Sequence, residues 1–473
     1  MERIIPSSKQ KALRINLDPD IYGNFAEIGA GQESVRHFFR AGGASGTIAK
    51  AMSAYDKAFS DSIYGPEEKN RYVCKSRLDK MLDHEYNLMN VRLDRKDHAT
   101  KKYFAFANTI ATIDYKKRYP GHGWVGIRFQ THHDKEPNDV ILHIKPLEND
   151  ARLQQETIGV LGVNLIYASY FYADDPDAFL DSLYDHLHRD QLEIDSINFN
   201  GPDFENIDNR LMSLKLVRKE MTQAVIFSPD GSNLQPSDLL YKKNILAIRG
   251  SFRPVTKVNI DMILNGYDEF IKDERVDKDK LQVLFEITLN NLRADGEVDE
   301  KDFLDRADIL CSLGQTVMIS NYRKYYKLCE YLSSFTKERM GFIMGVDHLQ
   351  EVFTEKYYHN LNGGMLEAFG ILFTRDVKIY LYPFKSKNDI INSETVQIHP
   401  RLAPLYDYLK FNKRIIDLKN YNPDVLTIFS KKVLQMIKDG ESGWEDMVPS
   451  YVDVIIKKNQ LFGYKTEVKE KIS

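Results

Sequence analysis

The residues best suited to chemistry in this sequence gather just after short apolar runs. Asn200-Gly201-Pro202-Asp203 follows one run, Ser228-Pro229-Asp230-Gly231 a second, and Arg249-Gly250-Ser251-Phe252-Arg253-Pro254 a third. Glu286 lies inside an apolar stretch that continues into Asn290 and Asn291, and Ser320-Asn321-Tyr322 closes another. Carboxylates so placed can move protons, and arginines can grip a phosphate with two parallel N–H bonds. The expected assignment is Glu286, Asp230 and Asp203 as acid–base groups and Arg249, Gly250, Ser251 and Arg253 as phosphate ligands. Asn290 and Asn321 are the expected substrate contacts. A carboxylate in an apolar strand is costly unless paired. Arg249 on a neighbouring strand could supply the partner for Glu286, in which case the two form a structural ion pair. Asp203 and Asp230 also suit ordinary turns, where Asn, Asp, Gly and Pro are the usual residues.

Two glycine clusters near the start, Glu27-Ile28-Gly29-Ala30-Gly31-Gln32-Glu33 and Gly42–Lys50, could cradle an anion on successive backbone N–H groups. Their spacing fits neither a P-loop nor GxGxxG, and close helix packing or an oligomer interface is the competing role. His132-His133-Asp134 and His186-x-His188 are the dense histidine groups. Neither has an HExxH frame or a third ligand at a fixed offset, so no metal is expected. The cofactor is left open. Cys74, Cys311 and Cys329 form no CxxC pair and suit a reducing compartment.

These groups need a scaffold. Strands are expected at Val140–Ile144, Ile194–Phe199, Ala224–Phe227, Ile245–Ile248, Gln282–Ile287, Thr316–Ile319, Gly341–Met344 and Val377–Tyr382. Helical spacing fills the gaps, as in Ile260, Ile263, Leu264, Tyr267 and Ile271. Strands alternating with helices imply parallel pairing, because parallel neighbours need a crossover. Eight such units predict an α/β fold with a (β/α)8 TIM-like barrel, and an open doubly wound sheet is the alternative. The expected organisation is an N-terminal α+β region over 1–135, the barrel over 136–412 and a C-terminal helical extension over 413–473, ending in a lysine-rich tail. Within the first region, Glu33–Arg40 and Lys75–Leu93 read as helices, and Tyr103–Tyr115 and Trp124–Gln130 as strands. In a barrel the candidate residues would share the carboxyl end of the strands, where barrel enzymes place their sites.

The 473 residues carry 42% apolar and 28% charged residues and a net charge of −4. That balance offers no global basic field for a nucleic-acid backbone. The longest apolar run, Ile158–Phe171, is broken by Gly159, Gly162, Asn164 and Ser169 and is shorter than a membrane span. The first residues lack an apolar signal core. A cytoplasmic protein with no nucleic-acid or membrane partner is expected, and a homo-oligomeric state is left open.

The stretch Gly250-Ser-Phe-Arg-Pro-Val-Thr-Lys-Val-Asn259 resembles the phosphate-binding signature of the nucleotidyltransferase superfamily, G-[TS]-F-x-P-x-[HT]-x-x-H. Gly250, Ser251, Phe252, Pro254 and Thr256 match, and Asn259 stands where the family has its second histidine. The family signature follows the first strand of its fold, whereas apparent strands precede it here. The segments Phe25–Tyr55, Asn209–Val217 and Phe303–Ser320 resemble a bacterial family of similar length, to which the name nicotinate-nucleotide adenylyltransferase is sometimes attached. Three functions remain in play. The first is an enzyme acting on a phosphorylated or nucleotide-like metabolite at the carboxyl end of the strands. The others are nucleotidyl transfer of the nicotinate-nucleotide adenylyltransferase kind, implied by the resemblance, and a non-catalytic binding or scaffolding role.

Overall fold

The structure is a computed structural model that describes all residues except 1–3, 69–70, 94–99, 294–297, 375–376, 387–388 and 466–473. The lysine-rich tail lies outside the described residues. The chain divides into two compact units, Met1–Thr222 and Gln223–Ser473. The boundaries drawn from the sequence, at 135/136 and 412/413, do not coincide with this division.

The first unit runs α1 (Ser8–Asn16), β1 (Ile21–Gly29), α2 (Glu33–Ala41), β2 (Ile48–Ala54), α3 (Lys57–Tyr64), α4 (Lys75–Arg92) and β3 (Lys102–Ala111). It continues with β4 (His122–Phe129), β5 (Asn138–Pro146), α5 (Ala151–Phe171), α6 (Pro176–Leu183), β6 (Leu192–Asn200) and α7 (Asn209–Arg218). One six-stranded sheet, ordered β2-β1-β3-β4-β5-β6, forms its centre. The β2-β1-β3 part is parallel and the rest antiparallel. Alternating residues on β3 face opposite layers, as strand geometry requires. Phe104 and Phe106 join a core with Ile15 of α1, Phe38 of α2, Leu161 of α5 and Phe179 of α6. Tyr103, Ala105 and Ala107 join Leu78 and Leu82 of α4 on the other face. α5 is apolar because it is buried along nearly its whole length, and Asp150 caps it by accepting from the Arg152 and Leu153 amides.

The second unit opens with β7 (Ala224–Phe227), β8 (Asn233–Leu234), α8 (Pro236–Leu240), β9 (Asn244–Arg249), α9 (Lys257–Phe270), β10 (Leu281–Thr288) and α10 (Leu289–Leu292). Then come α11 (Glu300–Ser312), β11 (Val317–Ser320), α12 (Tyr325–Ser333), β12 (Met340–Gly345), α13 (Val346–Val352), α14 (Gly364–Leu372) and β13 (Lys378–Tyr382). A small hairpin, β14 (Phe384–Lys385) and β15 (Ile390–Ile391), precedes α15 (Ala403–Phe411) and β16 (Ile415–Asp417), and α16 (Ser430–Asp439) and α17 (Val452–Asn459) follow. The sheet order is β16-β13-β12-β9-β10-β11-β7-β8. From β16 to β11 every pair is parallel. β7 and β8 add an antiparallel edge.

This corrects the barrel. Among the described residues no sheet closes, and the second unit has the open, doubly wound alternative. Numbered among themselves, its parallel strands run 3-2-1-4-5-6, with β9 first and the order reversing between β9 and β12. Helices cover both faces. Tyr325, Leu328 and Leu349 pack with Ile245 and Met318 on one face. On the other, Phe303 of α11 meets Phe227 and Phe270 of α9 meets Tyr380. The stretches Val140–Ile144 and Ile194–Phe199, counted as barrel strands, are instead antiparallel neighbours in the first sheet. Within the described residues no helix is long and apolar enough to cross a membrane.

Candidate functional site

β9 and β10 pair in register so that Arg249 stands beside Glu286. Arg249 donates Nε to Glu286 Oε2 and Nη2 to Glu286 Oε1, both at 2.8 Å. Nη2 also reaches the Tyr322 carbonyl at 2.8 Å, Nη1 reaches the Arg323 carbonyl at 3.3 Å, and the guanidinium lies 4.4 Å from the Tyr325 ring centre. Ser320 donates its hydroxyl to Glu286 Oε1 at 2.6 Å. Burial alone would push the Arg249 pKa down; the Glu286 carboxylate outweighs it and holds the guanidinium above its ordinary value. Four hydrogen bonds occupy most of the five N–H donors a guanidinium has. Arg249 is thus committed to positioning the chain that leads into α12.

Gly250 to Thr256 leave β9 as a tightly held loop. The Gly250 amide donates to the Glu286 carbonyl at 3.1 Å, and Asn291 Nδ2 donates to the Gly250 carbonyl at 3.2 Å. Phe252 has a left-handed φ of 47° and packs on Phe285 at 5.3 Å. A Cβ on Gly250 would come within 2.9 Å of the Phe252 ring, so a side chain here would have to displace that ring. Buried Arg306 donates to the Ser251 carbonyl at 3.1 Å and the Asn291 carbonyl at 2.9 Å, and both Arg306 and Arg253 bond to Asp302. Thr256 opens α9, with its amide and hydroxyl donating to Asn259 Oδ1 at 2.9 and 3.0 Å. Asn259 serves as capping partner of that helix.

Beyond the carboxyl ends of these strands lies a polar cavity of about 150 Å³. Its lining comes from the ends of β9 and β10, from Asn290 and Asn291, from Arg323-Lys324-Tyr325 and from His348 and Glu351 of α13. It therefore straddles the reversal in strand order, the place where open α/β sheets bind ligands. Lys324 is the N-cap of α12 and no side chain caps that helix, which leaves backbone N–H groups and the positive end of its dipole for an anion. Burial pushes the Lys324 ammonium below its usual pKa, and Arg323 and Arg249 add to this against the pull of Glu351. Burial likewise holds His348 below the usual histidine value, so its ring is neutral near pH 7; its Nδ1 lies 3.4 Å from the Tyr325 hydroxyl. The arrangement can hold an anionic group and offers a neutral imidazole as proton acceptor.

The expected site residues divide. Arg249, Gly250, Ser251, Arg253, Glu286 and Asn290 gather around this end of the second sheet. Asn321 sits at the end of β11, its amide donating to the Gln223 carbonyl at 2.9 Å. Asp230 does not join them. β7 runs antiparallel to β11, so its carboxyl end, and Asp230 after it, lie at the other end of the sheet. There Asp230 closes a turn, accepting from Ser228 and from the Ser232 amide, and these bonds lower its pKa to about 2. Asp203 belongs to the first unit and accepts from Thr131, Lys135 at 2.9 Å and Asn138 at 2.8 Å. Arg306, Arg323, Lys324, His348 and Glu351 escaped the sequence reading. The one available signal was the basic pair directly after Asn321-Tyr322.

In the first unit the glycine segment joins β1 to α2. Glu27 of β1 is buried with no cation against it among the described residues, and desolvation pushes its carboxyl up to about 8 against the opposing pulls of the Ser53 hydroxyl and the Val35 amide. Gly29 has a φ of 84°, and a Cβ on Gly31 would lie 2.0 Å from Asn108 Oδ1. Asn108 is buried with both amide atoms unpartnered.

No protein-family model and no curated protein matches the chain. Among solved structures it is similar to the competence/damage inducible protein CihA from Agrobacterium tumefaciens, at 15% identity over 35% of this chain and 98% of that one, with a TM-score of 0.25. A competence-damaged protein (CinA) superfamily protein from Enterobacter cloacae matches at 11% identity over 36% and 95%, TM-score 0.26. One from Klebsiella pneumoniae matches at 9% over 35% and 96%, TM-score 0.27. Scores this low carry no functional inference.

Proposed function

We propose that the second unit binds a phosphorylated or nucleotide-like metabolite at the carboxyl ends of β9, β10, β11 and β12. The observation that carries this reading is the pair Arg323 and Lys324 at the uncapped start of α12, lining a polar cavity where strand order reverses. Helix N-termini and paired cations favour phosphate. Arg323 and Lys324 hold the anion, Asn290 and Asn291 orient the rest of the ligand, and His348 accepts a proton from it. The Arg249–Glu286 pair positions the loop that carries Arg323. In isothermal titration with ATP and with pyrophosphate, the paired substitution Arg323→Ala and Lys324→Ala is expected to weaken binding at least tenfold. Equal affinity in the variant overturns the assignment.

A second reading, nucleotidyl transfer, is favoured by one specific observation. The loop resembling the nucleotidyltransferase signature follows β9, the first of the parallel strands in the doubly wound order. The strands that precede it belong to the first unit or to the antiparallel edge, which supports this reading. Incubation with ATP and nicotinate mononucleotide should then release pyrophosphate, and Gly250→Asp should abolish that release. No release, with no thermal shift from any nucleoside triphosphate, removes this reading.

A further inference from the structure

The loop between β4 and β5 belongs to the first unit. It presents His132, His133 and Asp134, all exposed, with one ligand atom from each lying within 4.8 Å of the others. We propose that these three residues bind a divalent transition metal of the zinc, nickel or cobalt type. Two imidazoles and one carboxylate suit such ions, whereas calcium and magnesium prefer oxygen-only shells. Ligands about 2.1 Å from one ion stand at most roughly 4.2 Å apart, so rotation of an exposed ring closes the remaining gap. The two rings already stand 4.5 Å apart between centres, and His132 Nδ1 is hydrogen-bonded to Asp134.

The loop is held in place before any ion arrives. Gln130 is buried; it accepts from the Tyr103 amide at 3.1 Å and donates to the Lys135 carbonyl at 2.7 Å and the His133 carbonyl at 3.3 Å. The Lys135 amide closes a turn on the His132 carbonyl at 3.2 Å. Asp203 ties both flanks down through Thr131, Lys135 and Asn138. Asp203 is therefore a positioning residue for this loop. Three protein ligands leave coordination positions open, as in sites that bind an exchangeable water. An open cavity of about 520 Å³, lined by His133 and Asp134 together with Tyr86, Asn90 and Glu136, adjoins the loop and gives a small ligand access.

The test is titration of the full chain with Zn2+ and, as a spectroscopic probe, Co2+. One equivalent should bind, and His132→Ala and His133→Ala should each weaken it at least tenfold. The unfolding midpoint of the metal-free protein should not move, because both side chains are exposed. The variant His186→Ala, His188→Ala should bind as the parent does. Absence of Zn2+ binding, or binding unchanged when His132 and His133 are both replaced, overturns the proposal.

Discussion

Glu27 and Glu286 occupy equivalent places in two different sheets. Each lies two residues before the end of a strand with a parallel neighbour on both sides, and each is fully buried. Their neighbours differ. Arg249 stands beside Glu286 in register, whereas Ser53 and Asn108 flank Glu27. The second unit solves the cost of a buried carboxylate with a bidentate ion pair, and the pair then organises the loop before α12. The first unit has no cation in register, and its carboxyl is held protonated at neutral pH. A buried glutamate in a parallel strand is therefore no guide to function until its cross-strand neighbour is known.

The largest expected effect concerns Glu27. Its carboxyl is moved from the ordinary 4.5 to about 8, so the folded state binds the proton more tightly than the unfolded one. The stability this confers is complete below about pH 4.5 and is lost as pH rises through about 8, roughly 5 kcal/mol at most. Glu27→Gln has no such loss. Urea unfolding should show variant and parent alike at pH 4, with the variant gaining steadily towards pH 9. Parallel pH profiles would mean that Glu27 has a hidden cation. Next in size, Glu286→Ala strands Arg249 and should cost about 3–5 kcal/mol, whereas Arg249→Met with Glu286→Leu should recover most of it. If the double variant is no better than the single one, the pair is not the compensation described. Gly31→Ala drives a methyl into the Asn108 amide and should cost about 1–3 kcal/mol, with the cost falling in an Asn108→Ala background. Asp230→Ala removes only the bonds of an exposed turn and should lower the unfolding midpoint slightly while leaving ATP affinity unchanged.

Much of the second sheet was legible because its strands are buried on both faces and so read as plain apolar runs such as Ile245–Ile248. β1 was not legible: Gly23, Asn24, Glu27 and Gly29 break its pattern, although it is buried nearly throughout. β2 alternates half-buried and exposed residues, as an edge strand rich in alanine does. Counting strands also could not tell which of them share a sheet, so two antiparallel strands of the first unit were added to the parallel set. The pairing of Glu286 could be read because Arg249 closes a neighbouring apolar run; burial alone does not require a cation, as Glu27 shows. The cavity could not, because Tyr322-Arg323-Lys324-Tyr325-Tyr326 reads as helix packing until the fold places its start beside β9 and α13.

Hydrogen exchange with mass spectrometry, with and without ATP, tests most directly which of the two strand ends receives a ligand. Protection is predicted in peptides covering residues 286–292, 321–326 and 346–352, with no change over 26–36. Protection confined to 26–36, or none in the second unit at saturating ATP, would contradict it.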